Sequence, residues 1–255
     1  GVNTILHATY KYYLHGPLKR IELASSSCKQ GIDFVYNITG SLKGINSNDP
    51  GTDPGLDGIS GANASNPKDF FGETLHYHDN DYASAGYTPG SVTLGTHSQN
   101  QYSGNVRAIS YNNATDLNVG GVGNARHLYS YQYDPRNQLS DAQWGNITDS
   151  TASLVTAQRE TVPGYDKNGN IQTLQRTGKQ GQNTASYTYL YESNTNKVDK
   201  INHGGNQLVD YTYNAIGQMI KQDEGTAKTF NVKYNAYGLV SEVKDYNNAL
   251  LQSYA

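Results

Sequence analysis

The sequence is poor in most of what staples, charges or dries a protein. A single cysteine, Cys28, in 255 residues rules out an internal disulfide. The 19 Lys and Arg against 22 Asp and Glu leave a net charge of -3, with no basic footprint for nucleic acid and no polybasic patch for a membrane surface. No run of about 18 apolar residues occurs, so there is no helical membrane span. With 4 Phe, 1 Trp, 1 Met and a mean hydropathy of -0.71, a dry helical core is out of reach, and no long window keeps a 3.6-residue apolar period. No Gly-x-Ser-x-Gly elbow, EF-hand loop or nonapeptide calcium repeat is present.

What is abundant is tyrosine, 22 residues, and glycine, 27 residues. A tyrosine ring buries much apolar area but needs a partner for its hydroxyl, which suits a wet, layered β structure. The stretch Tyr211-Thr212-Tyr213-Asn214-Ala215-Ile216-Gly217-Gln218-Met219 shows how it is used. Two tyrosines share one strand face, Asn214 can cap a turn through its side chain, Gly217 supplies a positive φ, and Met219 returns to the tyrosine face.

The same frame recurs. It stands at Tyr36 with Gly40, at Tyr133 with Asn137 in the glycine place, at Tyr165 with Gly169, and at Tyr234 with Gly238. A longer-turned copy follows Tyr191, and a first hairpin is expected around Tyr13 and Gly16. The anchors at 165, 191, 213 and 234 lie 26, 22 and 21 residues apart, the spacing of an internal repeat. One two-stranded hairpin is marginal in water, so neighbouring hairpins must pair edge to edge. The expected fold is all-β: a long, curled or spiralling antiparallel sheet of repeated hairpins, partly open, with a tyrosine- and aliphatic-rich face and a polar face.

The chain reads as a single β domain over 1–255, with a loop-rich excursion at 46–128 inside the same sheet. Segment 46–67 is too rich in Asp, Asn, Pro and Gly to pack a core. The chain starts at Gly1 without Met, and Gln252-Ser253-Tyr254-Ala255 reads as the opening of another hairpin. Both features lead us to expect a processed or excised piece of a longer chain.

The recurring Tyr-x-Tyr-[Asp/Asn]-x-x-Gly-x-[Leu/Ile/Met] frame, clearest at Tyr131 to Leu139, Tyr165 to Ile171 and Tyr211 to Met219, resembles the YD-repeat (rearrangement-hotspot) family. That family contains bacterial relatives of teneurin and insecticidal-toxin shells. The stretches Tyr12 to Arg20, Ile32 to Tyr36 and Asp69 to Tyr77 resemble its Bacteroidetes-type members. In that family the repeats wind into a shell around a C-terminal toxin. The family's core motif, autoproteolytic aspartates and toxin domain have no match here, so the resemblance implies a scaffold rather than encapsulation by this chain alone.

Candidate chemistry is sparse. His76 and His78 with Asp79 offer half a metal set, without further ligands at telling spacing. Asp49, Asp53 and Asp57 alternate with Pro-Gly pairs and could offer oxygens to calcium, but turn chemistry accounts better for that pattern. Glu73, Glu160, Glu192 and Asp210 are available for carboxylate pairing that sequence alone cannot make. Cys28 reads as a thiol in a loop. No cofactor and no enzymatic activity are expected.

Four sequons, at Asn37, Asn63, Asn113 and Asn146, are candidate glycosylation sites, although an Asn-rich chain of bacterial type yields several by chance. The leading expectation is a non-enzymatic extracellular or cell-surface scaffold that self-associates through its sheet ends or through further repeats. Alternatives are a shell fragment of a polymorphic toxin, and a carbohydrate-binding adhesin module using exposed tyrosines such as Tyr87 and Tyr102.

Overall fold

In the computed structural model, residues 7–23, 30–79, 81, 87, 90, 92–113, 126–178, 184–225 and 228–254 are described. Cys28 and the glycine-rich stretch at residues 118–124 lie outside them. The chain is all-β, with seventeen strands in an open antiparallel sheet and no α-helix among the described residues. It divides into two compact units, Gly1–Arg159 and Glu160–Ala255.

Unit 1 holds β1 (Ala8–Tyr12), β2 (Leu18–Leu23), β3 (Gln30–Tyr36), β4 (Leu42–Ile45), β5 (Phe71–His76), β6 (Ala108–Asn113), β7 (Arg126–Tyr133) and β8 (Leu139–Thr148). Each of these strands pairs antiparallel with its successor. β9 (Thr151–Tyr165) carries the chain from the first unit into the second. Unit 2 continues with β10 (Ile171–Thr177), β11 (Ala185–Tyr191), β12 (Val198–His203), β13 (Asn206–Tyr213), β14 (Met219–Asp223), β15 (Thr229–Tyr234), β16 (Val240–Lys244) and β17 (Leu250–Ser253). From β10 onward each strand again pairs with the next.

One turn geometry explains the sequence frame. At Asn37, Asp134, Asp166, Asn214, Asn235 and Asp245 the side-chain Oδ1 accepts the backbone N–H groups two and four residues on, at 2.8–3.2 Å. This ties down donors that the tight turn leaves without strand partners. The residue three places after the cap takes positive φ: +84° at Gly40, +62° at Asn137, +87° at Gly217 and +62° at Asn248. Asn137 therefore fills the glycine place, as its tolerance of the left-handed region predicts.

The frame tyrosine closes a second connection. Tyr191, Tyr213 and Tyr234 donate their hydroxyls to the carbonyls of Ile171, Val198 and Met219, at 2.6–2.8 Å. Each acceptor is the first residue of the return strand in the preceding hairpin. Tyr77 to Leu42, the first residue of β4, repeats the relation in unit 1 at 2.8 Å, and Tyr133 reaches Val106, two residues ahead of β6, at 2.7 Å; both acceptors follow a positive-φ glycine by two residues. Removing one such hydroxyl by Tyr213→Phe is expected to lower stability by about 1 kcal/mol. The check is a shift in denaturant midpoint at unchanged m value; an unmoved midpoint would mean the bond contributes nothing over water.

The first hairpin departs from the frame. Tyr12, not Tyr13, pairs with Leu18. Tyr13 occupies the capping position, and its hydroxyl donates forward to the Phe34 carbonyl at 2.9 Å.

The faces also depart from expectation. The frame tyrosines are half-buried rather than core, while Tyr237 is 89% and Tyr12 62% exposed. A tyrosine-rich ladder of Tyr111, Tyr129 and Tyr131 stacks on β6 and β7, with His127 beside Tyr111. The most deeply buried face of unit 1 is the polar one. Ser110, Asn112 and Ser130 are buried there, because Ser47, Asn48 and His97, from the stretches on either side of β5, reach over it. Asn48 bonds Ser110, Asn112 bonds the Ser47 carbonyl, and His97 bonds Ser130. This is why a segment too polar for an apolar core packs well.

Candidate functional site

The strongest concentration of charge is built around Arg20. On β2, Arg20 lies directly opposite Asp33 of β3, so the register alone makes a cross-strand ion pair. The turn-rich segment then returns over the same spot. Arg20 Nη2 donates to both oxygens of Asp57, at 2.7 and 2.9 Å, and Nη1 to Asp33. Its Nε donates to Glu22 at 3.0 Å. Arg20, Asp33, Asp53 and Asp57 are 1–4% exposed. The backbone must come very close for this: a Cβ on Gly31 would overlap Arg20 and Asp57, and one on Gly55 would overlap Arg20 and Asp33.

Asp53 closes the cluster. Its Oδ2 accepts the Asp57 N–H at 3.0 Å, as turn chemistry requires. The carboxylates of Asp33, Asp53 and Asp57 converge, with one oxygen of each within 4.8 Å of the others. Asp69 lies near enough to feel the Asp53 charge, and its carboxyl accepts the Gln30 amide N–H at 2.7 Å. Turn chemistry thus accounts for Asp49, which caps a short 3-10 turn at Pro50–Thr52. It does not account for the convergence of Asp53 and Asp57.

The electrostatics follow from crowding. Burial, outweighing the Arg20 charge and reinforced by Asp53 and Asp57, pushes the Asp33 carboxyl up to about 7. Burial, then the hydrogen bond and charge of Asp53, push Asp69 up to about 9. Burial works against the charge of Arg20, yet the Asp57 hydrogen bond and the Asp33 charge hold its pKa above the ordinary arginine value.

The sequence-derived metal set is not assembled. His76 is enclosed, its Nε2 2.7 Å from Ser110 Oγ, and burial, aided by the nearby Lys43 charge, pushes it down to about 3. His78 stacks on Tyr102 at 4.9 Å, and Asp79 pairs with Arg107 at 2.6 Å. Among the described residues the convergent ligand group is the three aspartates, and His76, His78 and Asp79 take no part in it.

The remaining candidates disperse. Glu160, Glu192 and Asp210 each sit on a separate cation, Arg176, Lys197 and Lys200. Tyr87 is buried at 4% exposure, its hydroxyl 2.9 Å from Thr74, so it offers no platform for a sugar; Tyr102 is 78% exposed. Of the sequons, Asn37 serves as a turn cap, and the Asn63 amide nitrogen donates to the Gly55 carbonyl at 2.7 Å. Asn146 is exposed on β8 beside His127, and Asn113 ends β6 with the rest of its sequon outside the described residues.

No family model matches the chain, and no curated protein matches it. Among solved structures it is similar to crystal structures of TcdB2-TccC3-Cdc42 and TcdB2-TccC3-TEV. Identity is 12% and 11%, with TM-scores of 0.45 and 0.44, over 99% and 98% of this chain. A third, TcdB2-TccC3, gives 11% identity and a TM-score of 0.29 over 96% of this chain. The chain spans only 12–15% of the length of those proteins.

Proposed function

We propose that this chain is a non-enzymatic structural module of an extracellular or cell-surface shell, fibre or filament. The observation that carries it is the repeated linkage: capped turn, return strand, and a tyrosine hydroxyl reaching the carbonyl that opens the preceding return strand. Side chains at the recurring positions of unit 2 are spent on joining hairpin to hairpin. Such a sheet is extended by adding tiles, and its stability is a sum of neighbour terms.

In this reading β17 offers an edge for joining. It registers with β16, all four of its residues are exposed, and Leu250 and Leu251 are 56% and 54% exposed. Lys244 and Asp245 start the turn before it, with Asp245 capping as the frame requires. The segment expected to open a further hairpin is therefore already a return arm. An exposed strand edge with apolar side chains pairs with whatever strand comes next, in a longer chain or in another copy.

Sedimentation of the chain over a hundredfold concentration range tests this. Mass is expected to rise with concentration, and Ser253→Pro, which removes an N–H donor from the side of β17 turned away from β16, is expected to hold the protein monomeric. A monomer stable to dilution, with no filaments by electron microscopy, would sink the assembly reading.

A further inference from the structure

The carboxylate cluster has more negative charge than the fold neutralises. Asp33, Asp53 and Asp57 converge, Asp69 adjoins Asp53, and the one guanidinium present bonds Asp33, Asp57 and Glu22 but neither Asp53 nor Asp69. An isolated structural ion pair would stop at Arg20 with Asp33. This one continues to Asp53, which Arg20 does not reach. Asp53, 4% exposed, keeps Oδ1 buried without a hydrogen-bond partner, although its Oδ2 is satisfied. The Oε1 of Gln30 is likewise buried and unpartnered, while its amide nitrogen holds Asp69. A buried acceptor left empty is costly, more so when charged. A positive group beside Asp53 Oδ1 would satisfy it.

We propose that Asp33, Asp53, Asp57 and Asp69 form a binding site for a hard divalent cation of the calcium class. The donor set is all oxygen, which suits calcium and disfavours zinc and copper. The size is right as well. Oxygens held 2.3–2.6 Å from one calcium lie at most about 5 Å apart, and the three aspartate oxygens lie within 4.8 Å of one another. Four carboxylates from a strand and a turn-rich segment match the irregular geometry that calcium accepts and magnesium resists. Arg20 occupies both oxygens of Asp57 and one of Asp33, so it competes with the cation as well as fixing its ligands. The affinity therefore falls in the weak range of extracellular modules, a Kd of about 10⁻⁴–10⁻³ M. In that range the site fills outside cells and empties inside them. Bound cation would fasten the turn-rich segment 46–69 onto β2 and β3, a role separate from association through β17.

The test uses the full chain stripped with a chelator. Calcium is expected to raise the melting temperature saturably, with magnesium at equal concentration giving less than half the shift. Terbium should bind at one site and luminesce through nearby tyrosine, Tyr87 being close enough to feel the Asp53 charge. Calcium should displace it, and Asp53→Asn should weaken terbium binding at least tenfold. If Asp53→Asn does not fold, Asp69→Asn is the second variant and carries the same expectation. A melting temperature unmoved by calcium, or terbium binding unchanged in the variant, overturns the site. Asp69→Asn with stability at or above wild type and no calcium response would assign the Asp53 contact to a shared proton instead.

Discussion

Replacing Arg20 by methionine is expected to destabilise the protein by about 3–5 kcal/mol, the usual cost of stranding buried charge by removing its partner. Methionine nearly preserves the length of the stem, so the loss reports charge and hydrogen bonds rather than volume. Arg20 is 3% exposed and holds Asp33, Asp57 and Glu22 at once. Without it three neighbouring carboxylates face each other across protein. For a chain of this size the melting temperature should fall by roughly 10 °C, taking 2–4 °C per kcal/mol. Arg20→Lys should recover only part of this, because one ammonium cannot span two carboxylates as a planar fork does. The exposed Lys11–Glu22 pair is the control: Lys11→Met should stay within about 0.5 kcal/mol, since Lys11 is 49% exposed. Denaturant midpoints at constant m value would decide it. An Arg20→Met chain as stable as wild type would show that protons or an ion already neutralise the cluster without arginine.

The contrast between what the sequence discloses and what it hides follows from range. A turn cap and its glycine are three residues apart, so the Asn214–Gly217 turn is readable from composition and spacing alone. Asp245 caps the same turn, yet Lys244 stands where the frame has tyrosine, and that single replacement hides the hairpin. Tyr12 and Tyr13 are adjacent tyrosines, and only strand register shows which one is the anchor. The cluster was out of reach for a different reason. Asp33, Asp57 and Asp69 lie 13, 37 and 49 positions from Arg20, and the partner of Arg20 is chosen by the β2–β3 register and by a returning loop. The Asp-Pro-Gly repetition did mark the loop, but its local turn meaning concealed the long-range one. The buried polar face was equally hidden, since alternation along β6 tells which residues share a face and not which face Asn48 and His97 will cover.

Chelated protein is expected to be most stable on the acid side of neutrality, losing stability steadily as pH rises from about 5 to 9. Three groups set the sign. Asp33 and Asp69 have folded pKa values raised to about 7 and about 9, against about 4 in the unfolded chain. Each therefore holds a proton in the folded state that the unfolded state has released, and the stabilisation is lost as pH climbs through the folded value. His76, lowered to about 3, acts in the opposite sense. Unfolded histidine takes a proton below about 6.5, so His76 erodes stability as pH falls through that value and offsets one of the two aspartates there. Between pH 7 and 9 Asp33 and His76 have finished titrating, and of these three groups Asp69 is the one that still supplies a slope. Asp69→Asn should flatten the dependence in that interval, and His76→Gln should steepen it between pH 4 and 6. Saturating calcium should flatten the alkaline limb too, because a cation replaces the protons that high pH removes. Melting temperatures in chelator from pH 4 to 9 measure all three. A wild-type slope retained by Asp69→Asn above pH 7 would show that the cluster titrates elsewhere, whatever its affinity for metal.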